Sequence, residues 1–126
     1  MDRRRHAHTR AAAALLLTLS AGACIAPPPT PRPIGDAAHG RQLLATYGCG
    51  SCHEIPGVAG ADGMAGPPLD HFARRTIIGG YLPNTPPNLV HWIEAPQTVA
   101  PGNAMPDLGV ADPDARDMAA YLGAQR

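Results

Sequence analysis

The sequence predicts a small all-α domain of three to five short helices. Two segments place apolar residues at i, i+3, i+4 and i+7, which is the pattern of one face of a helix. Cap residues flank both segments, and no run of residues alternates as a strand would. The two patterns are Gly40, Leu43, Leu44 and Tyr47 near the start, and Ala115, Met118, Ala119 and Leu122 near the end.

The first residues read as an export signal rather than as part of the domain. Four arginines within residues 3–10 precede a 13-residue run of apolar and small residues, Ala11 to Ala23. A membrane-spanning helix needs ~20 residues, so the run fits the apolar region of a signal peptide. We therefore assign residues 1–23 to an export signal.

Two cleavage modes are open for this signal. Ala21-Gly22-Ala23 is a small-x-small site for an ordinary signal peptidase. Cys24 follows it directly, and the segment resembles a bacterial lipoprotein signal, which implies lipidation of Cys24. Residues 24–34 contain PPPTPRP, a stiff spacer. The expectation is a domain tethered to the membrane on the periplasmic side of a bacterial envelope.

Residues 35–126 form the folding unit, and local signals mark its elements. Asp36 is a candidate N-cap for the first helix, and Gly48 is its candidate stop. A short helical turn is expected near residues 69–75. The remaining expected elements are a helix from Pro86 to Ala95, capped by Thr85 and stopped by Pro96, and a last helix capped by Asp112 and ended by Gly123. The rest is predicted to be loop, with no sheet.

Composition limits what this domain can do. Ten basic residues balance ten acidic ones, which argues against general nucleic-acid binding. Aromatic residues are only 4% of the chain, whereas 14 glycines and 15 prolines are present. Side chains alone therefore make a thin core, and we expect another group to fill the centre.

The segment Cys49-Gly50-Ser51-Cys52-His53 indicates what that group is. A C-x-x-C-H sequence is typical of c-type haem attachment, in which two thiols join one porphyrin edge and the histidine binds the iron. A redox disulfide and half of a zinc site are the alternatives. A zinc site needs two further ligands, and the other histidines lie in no second paired spacing.

A haem iron bound by His53 needs a sixth ligand or keeps an open site. Met105 lies in a loop rich in Gly and Pro, Pro101 to Pro106, which could present its thioether to the ring. Met118 falls on the apolar face of the last helix, where packing is its expected role. Met64 lies only 11 residues past His53. Met105 is therefore the expected second iron ligand.

From about Gly35 to Gly123 the chain resembles class I bacterial cytochromes c. The resemblance rests on five segments, C-G-S-C-H, Gly66-Pro67-Pro68-Leu69, Leu89 with Trp92-Ile93, P-G-N-A-M-P, and Tyr121-Leu122. It implies one covalently attached haem c in the cytochrome c fold, whose first and last helices cross near Gly40.

The resemblance also implies roles for individual residues. The carbonyl of Pro67 would accept a hydrogen bond from His53, and Trp92 would pack beside the haem. Arg75 is the candidate contact for a haem propionate. Arg74, Tyr81 and Asn84 are further candidates for that contact.

The expected function is that of a single-haem electron carrier of the respiratory chain, acting as a monomer. With both axial positions filled there is no small-molecule substrate, so we do not expect an enzyme. The expected partners are an electron donor and an acceptor such as a cytochrome c oxidase. A fixed relay subunit of a multi-chain membrane oxidoreductase is the main alternative. A gas sensor or peroxidase would need an open sixth site.

Overall fold

The computed structural model describes residues 34–126. The predicted export signal, Cys24 and nearly all of the proline-rich spacer lie outside the described residues. Within residues 34–126 the helices are α1 (Ala37–Thr46), α2 (Pro86–Glu94), α3 (Pro96–Val99) and α4 (Asp112–Gly123). Two 3₁₀ turns, Cys49–Ser51 and Phe72–Arg74, and two short strands complete the described elements. The predicted all-α class is confirmed.

Helix α1 begins and ends where its cap residues predict. The Asp36 carboxylate accepts hydrogen bonds from the backbone N–H groups of Ala38 and His39, at 2.8 and 3.1 Å. At the other end Gly48 adopts a left-handed conformation with φ of 73°, which glycine reaches at little cost. The chain thereby leaves the helix and turns into the C-x-x-C-H segment.

Helix α4 starts one residue earlier than its sequence predicts. The expected cap, Asp112, is the first helical residue, and Ala111 occupies the cap position without a side-chain hydrogen bond. Inside the helix, the Asp112 carboxylate instead accepts two hydrogen bonds from Arg116, at 2.7 and 3.0 Å. A pair at i and i+4 requires both residues to be helical, which accounts for the difference.

Helices α1 and α4 cross at a glycine. Gly40 is buried, and a Cβ atom there would lie 1.9 Å from the backbone oxygen of Asp117 and 2.8 Å from the nitrogen of Met118. The two backbones touch because Gly40 has no side chain. Beside the crossing, His39 Nδ1 lies 2.8 Å from the Asp117 carboxylate.

The segment around Pro96 also differs from its prediction. Helix α2 is capped by the Thr85 hydroxyl and ends at Glu94, after which Ala95 is non-helical with φ of −144° and ψ of 59°. Pro96 does not simply stop a helix, because it is the first residue of α3. Proline suits a first helical position, since its fixed φ is helical and it needs no N–H partner there.

The prediction of no sheet is wrong in one detail. Strand β1 (Ile77–Ile78) pairs antiparallel with β2 (Leu82–Pro83). Gly79 and Gly80 make the turn with φ of 59° and 89°. Two residues per strand are too few to show an alternating pattern, so the sequence carries no strand signal here. The expected turn at 69–75 is only the three-residue 3₁₀ turn.

Buried apolar side chains from α1, α2, α4 and the intervening segments form one core cluster. Ile55, Ile78 and Met118 are among the most completely buried of them. They surround a cavity rather than closing over it. Among the described residues, no helix is both long and apolar enough to cross a membrane.

Candidate functional site

A cavity of about 560 Å³ opens in the middle of the domain. It falls within the range of about 300–1,000 Å³ that is usual for ligand and cofactor sites. Most of its lining is apolar, including Leu44, Phe72, Ile78, Leu89, Ile93 and Leu122. This cavity is the missing centre that the sparse aromatic composition indicates.

The C-x-x-C-H segment forms one wall of the cavity. Its backbone is a tight turn in which the N–H of His53 donates to the carbonyl of Cys49 at 3.1 Å. Gly50 is buried in the turn, where a Cβ atom would lie 2.6 Å from the Cα of Ala61. The turn directs Cys49, Cys52 and His53 to the same cavity.

The two thiols and their surroundings bear on the two alternatives to haem attachment. Cys49 and Cys52 are free, and burial raises the pKa of the Cys49 thiol above its ordinary value. Redox C-x-x-C motifs work through a thiol of lowered pKa. Within residues 34–126, no three His, Cys, Asp or Glu side chains cluster as metal ligands. Neither the disulfide nor the zinc interpretation gains support.

The imidazole of His53 is held in one orientation. Its Nδ1 lies 2.7 Å from the carbonyl oxygen of Pro67. A carbonyl only accepts, so Nδ1 carries a hydrogen, and in the neutral imidazole this leaves the lone pair on Nε2. Gly66 lies against the ring, because a Cβ atom there would be 2.3 Å from the ring carbon Cε1. The arrangement leaves Nε2 as the ring nitrogen that could bind a metal.

Met105 lines the same cavity from the loop between α3 and α4. Its N–H donates to the Asn103 side chain at 2.8 Å, and its carbonyl accepts from the Gln97 side chain at 2.7 Å. The sequence did not single out Gln97. The only local signal for Gln97 is its position directly after Pro96, because the backbone groups that its side chain binds lie five to eight residues further along the chain.

The other two candidate methionines lie in different surroundings. Met64 is 93% exposed and does not line the cavity. Met118 is fully buried at the crossing of α1 and α4, and it also borders the cavity. The structure thus brings His53, Met105 and Met118 to one cavity and leaves Met64 outside.

Trp92 lines the cavity, and two neighbouring residues limit the positions that its ring can take. A Cβ atom on Gly79 would lie 2.6 Å from the indole ring, so only glycine allows the turn between β1 and β2 to pass there. Tyr81 stacks on the indole with ring centroids 6.2 Å apart. Trp92 therefore has a defined position beside the cavity.

Arg75 lies at the edge of the cavity with its side chain 30% exposed. Its guanidinium donates to the carbonyl of Pro68 and sits 5.3 Å above the centre of the Phe72 ring. Asn84 does not line this cavity, and its amide instead donates to the carbonyls of Phe72 and Arg75. Arg74 and Tyr81 are also absent from the lining.

These residues fit a c-type haem. The cavity is apolar and large enough for a cofactor, two thiols stand on one wall, and the histidine beside them presents a free ring nitrogen. Met105 supplies a thioether from a separate segment, and Arg75 supplies a cation near the rim.

Comparison with known proteins supports this fit. The family model described as Cytochrome c matches residues 37–125. The chain is also similar to cytochrome c oxidase subunit 2 of Alkalihalophilus pseudofirmus, at 38% identity over 87 residues. That match covers 68% of this chain and only 25% of the relative. The chain belongs to the cytochrome c family of haem electron-transfer proteins, and its cofactor is one covalently attached haem c.

Proposed function

We propose that this protein carries single electrons between respiratory-chain partners and donates them to a terminal oxidase. The observation that carries the proposal is that two suitable iron ligands, His53 and Met105, line one apolar cavity. When bound, the haem supplies one-electron chemistry by alternating between ferric and ferrous iron.

The site assignments belong to the same proposal. Cys49 and Cys52 form the thioether bonds, and His53 and Met105 are the proximal and distal iron ligands. Trp92 packs beside the haem, and Arg75 contacts a propionate. Support for the last role is that Arg75 is a half-buried cation at the cavity rim.

The protein side chains set the conditions for electron transfer. The hydrogen bond from His53 to Pro67 fixes the ring and raises the basicity of Nε2. Ligation by His and Met raises the reduction potential. The apolar lining keeps water from the site. With both axial positions filled, the protein has no position for a substrate, which supports a carrier rather than an enzyme.

We also propose that the carrier is exported and tethered. Cys24 would be lipidated on the periplasmic side of the envelope, and residues 24–34 would hold the domain off the membrane. A tether confines the search for partners to the membrane surface and raises their effective concentration. Mass spectrometry of the mature protein tests this, since it reports the haem, the lipid and the cleavage site together.

The oxidase as acceptor is supported by the similarity to an oxidase subunit. The same similarity favours a second candidate function, that of a fixed relay subunit within a membrane oxidoreductase. A relay subunit would co-purify in a constant ratio with its complex after detergent extraction. A carrier would separate from its partners as a monomer.

Electron transfer itself is tested on the purified holoprotein. A potentiometric titration should give a single one-electron wave, and the reduced protein should be oxidised by membranes that contain a terminal oxidase. Reduced protein should bind carbon monoxide poorly at neutral pH. Rapid carbon monoxide binding by the wild type would contradict the proposal and favour a gas sensor or peroxidase.

A further inference from the structure

The loop that carries Met105 is held by side chains rather than by regular backbone pairing. Between Val99, the end of α3, and Asp112, the start of α4, the structure has neither helix nor strand. Gly102 and Gly109 adopt left-handed conformations with φ of 82° and 67°. Backbone polar groups of such a segment need other partners. Two side-chain amides provide them.

Gln97 uses its whole amide group on this loop. Its Nε2 donates to the carbonyls of Asn103 and Met105 at 2.9 and 2.7 Å. Its Oε1 accepts from the N–H of Gly102 at 3.0 Å. Both donors and the acceptor are therefore satisfied within one loop.

Asn103 completes the hold on Met105. Its Oδ1 accepts from the Met105 N–H at 2.8 Å, while its Nδ2 donates to the carbonyls of Pro96 and Ala100 at 2.9 and 2.7 Å. Both backbone polar groups of Met105 are thus bound by side chains. One of these side chains belongs to α3, and the other is bonded to the ends of α3.

Helix α3 is anchored by burial and by its short connection to α2. Pro96 is among the most completely buried residues, and α3 follows α2 after the single residue Ala95. Helix α2 carries Trp92 and Ile93 into the cavity wall. Gln97 therefore connects the position of Met105 to the same wall.

We propose that Gln97 is the positioning residue that keeps Met105 at the iron and so keeps external ligands out. The inference rests on the proposed ligation by Met105. A neutral thioether is retained only if its loop rarely opens. The apparent affinity of a competing ligand scales with the open fraction of the loop, so weakening the Gln97 bonds should raise that affinity.

Imidazole binding to the ferric holoprotein tests this. Gln97→Glu keeps the shape but places a carboxylate oxygen against two carbonyls, and Gln97→Ala removes all three hydrogen bonds. Each variant should bind imidazole about tenfold more tightly or better, as expected for the loss of two or more hydrogen bonds. Gln42→Glu makes the same change on the exposed face of α1 and should leave the affinity unchanged.

A double variant shows whether Gln97 acts through Met105. Met105→Ala should tighten imidazole binding most, and adding Gln97→Glu to it should have no further effect. Far-UV circular dichroism checks that each variant is folded. If Gln97→Glu does not fold, the imidazole affinity of Gln97→Ala decides the test.

Two results would overturn the inference, and they differ. Wild-type imidazole affinity in both Gln97 variants, with tight binding by Met105→Ala, would remove the role of Gln97 alone. Wild-type affinity in Met105→Ala would remove Met105 as the ligand, and the proposed site with it.

Discussion

Substituting Gly40 by Ala should separate the two helices that cross in this domain. The added Cβ would lie 1.9 Å from the Asp117 oxygen and 2.3 Å from the Asp117 carbonyl carbon. Both are backbone atoms of α4, so no side chain can swing aside. An ordinary contact of a Cβ atom is 3.4 Å or longer, so the helices would have to move apart by about 1.5 Å.

The expected cost follows from two opposing effects. Overpacking a core site costs about 1–3 kcal/mol, and the upper end applies because backbone meets backbone. Alanine returns about 1 kcal/mol through its higher helix propensity. The net loss of unfolding free energy is therefore about 2 kcal/mol. For a domain of this size that lowers the melting temperature by about 8–16 °C.

Denaturant unfolding of the holoprotein, followed by far-UV circular dichroism, measures this loss. Gly123→Ala is the matched control, since nothing lies within 4 Å of a Cβ added there. It should leave stability unchanged or raise it by less than about 1 kcal/mol. If Gly40→Ala is as stable as the wild type at an unchanged slope m, the backbone contact does not define the crossing.

Three further predictions concern stability. The hydrogen bond between His39 and the Asp117 carboxylate raises the pKa of His39 above 6.5 and lowers the pKa of Asp117. While Asp117 is ionised, the pair stabilises the fold fully below pH 6.5 and loses this effect as the pH rises through the raised pKa of His39. Unfolding free energies measured from mildly acidic to alkaline pH should show this decline, and His39→Gln should abolish it. Tyr121→Phe removes a 2.5 Å hydrogen bond from its hydroxyl to a loop carbonyl and should cost about 1 kcal/mol, whereas equal denaturation midpoints would exclude a role for that bond. Cys49→Ala with Cys52→Ala prevents haem attachment and should leave the chain largely unfolded by far-UV circular dichroism, and full native helix content would refute the idea that haem supplies the core.

Local patterns in the sequence determined much of the fold. The Asp36 cap and the Gly48 stop follow from side-chain and φ preferences of single residues, and both are present. The predicted cap role of Asp112 was wrong because an aspartate can either cap a helix from the position before it or, as a helical residue, pair with an arginine four residues later, as Asp112 does with Arg116. The contacts of the folded chain determine which role is adopted, and a single sequence does not show those contacts.

The candidate site divides in the same way. The C-x-x-C-H segment is contiguous, so its chemistry is readable along the chain. Gln97 and Met105 are eight residues apart, and only the path of α3 and the following loop brings them together. The roles of supporting residues, such as Gly66 against the His53 ring, depend on neighbours that folding brings close.

The far-red absorption of the ferric holoprotein tests the central claim most directly, because a sulfur-to-iron charge-transfer band reports methionine ligation. The wild type and Met64→Ala, which alters an exposed methionine, should both show the band. Met105→Ala should lose it and should have a lower reduction potential. An unchanged band in Met105→Ala would show that another residue binds the iron opposite His53.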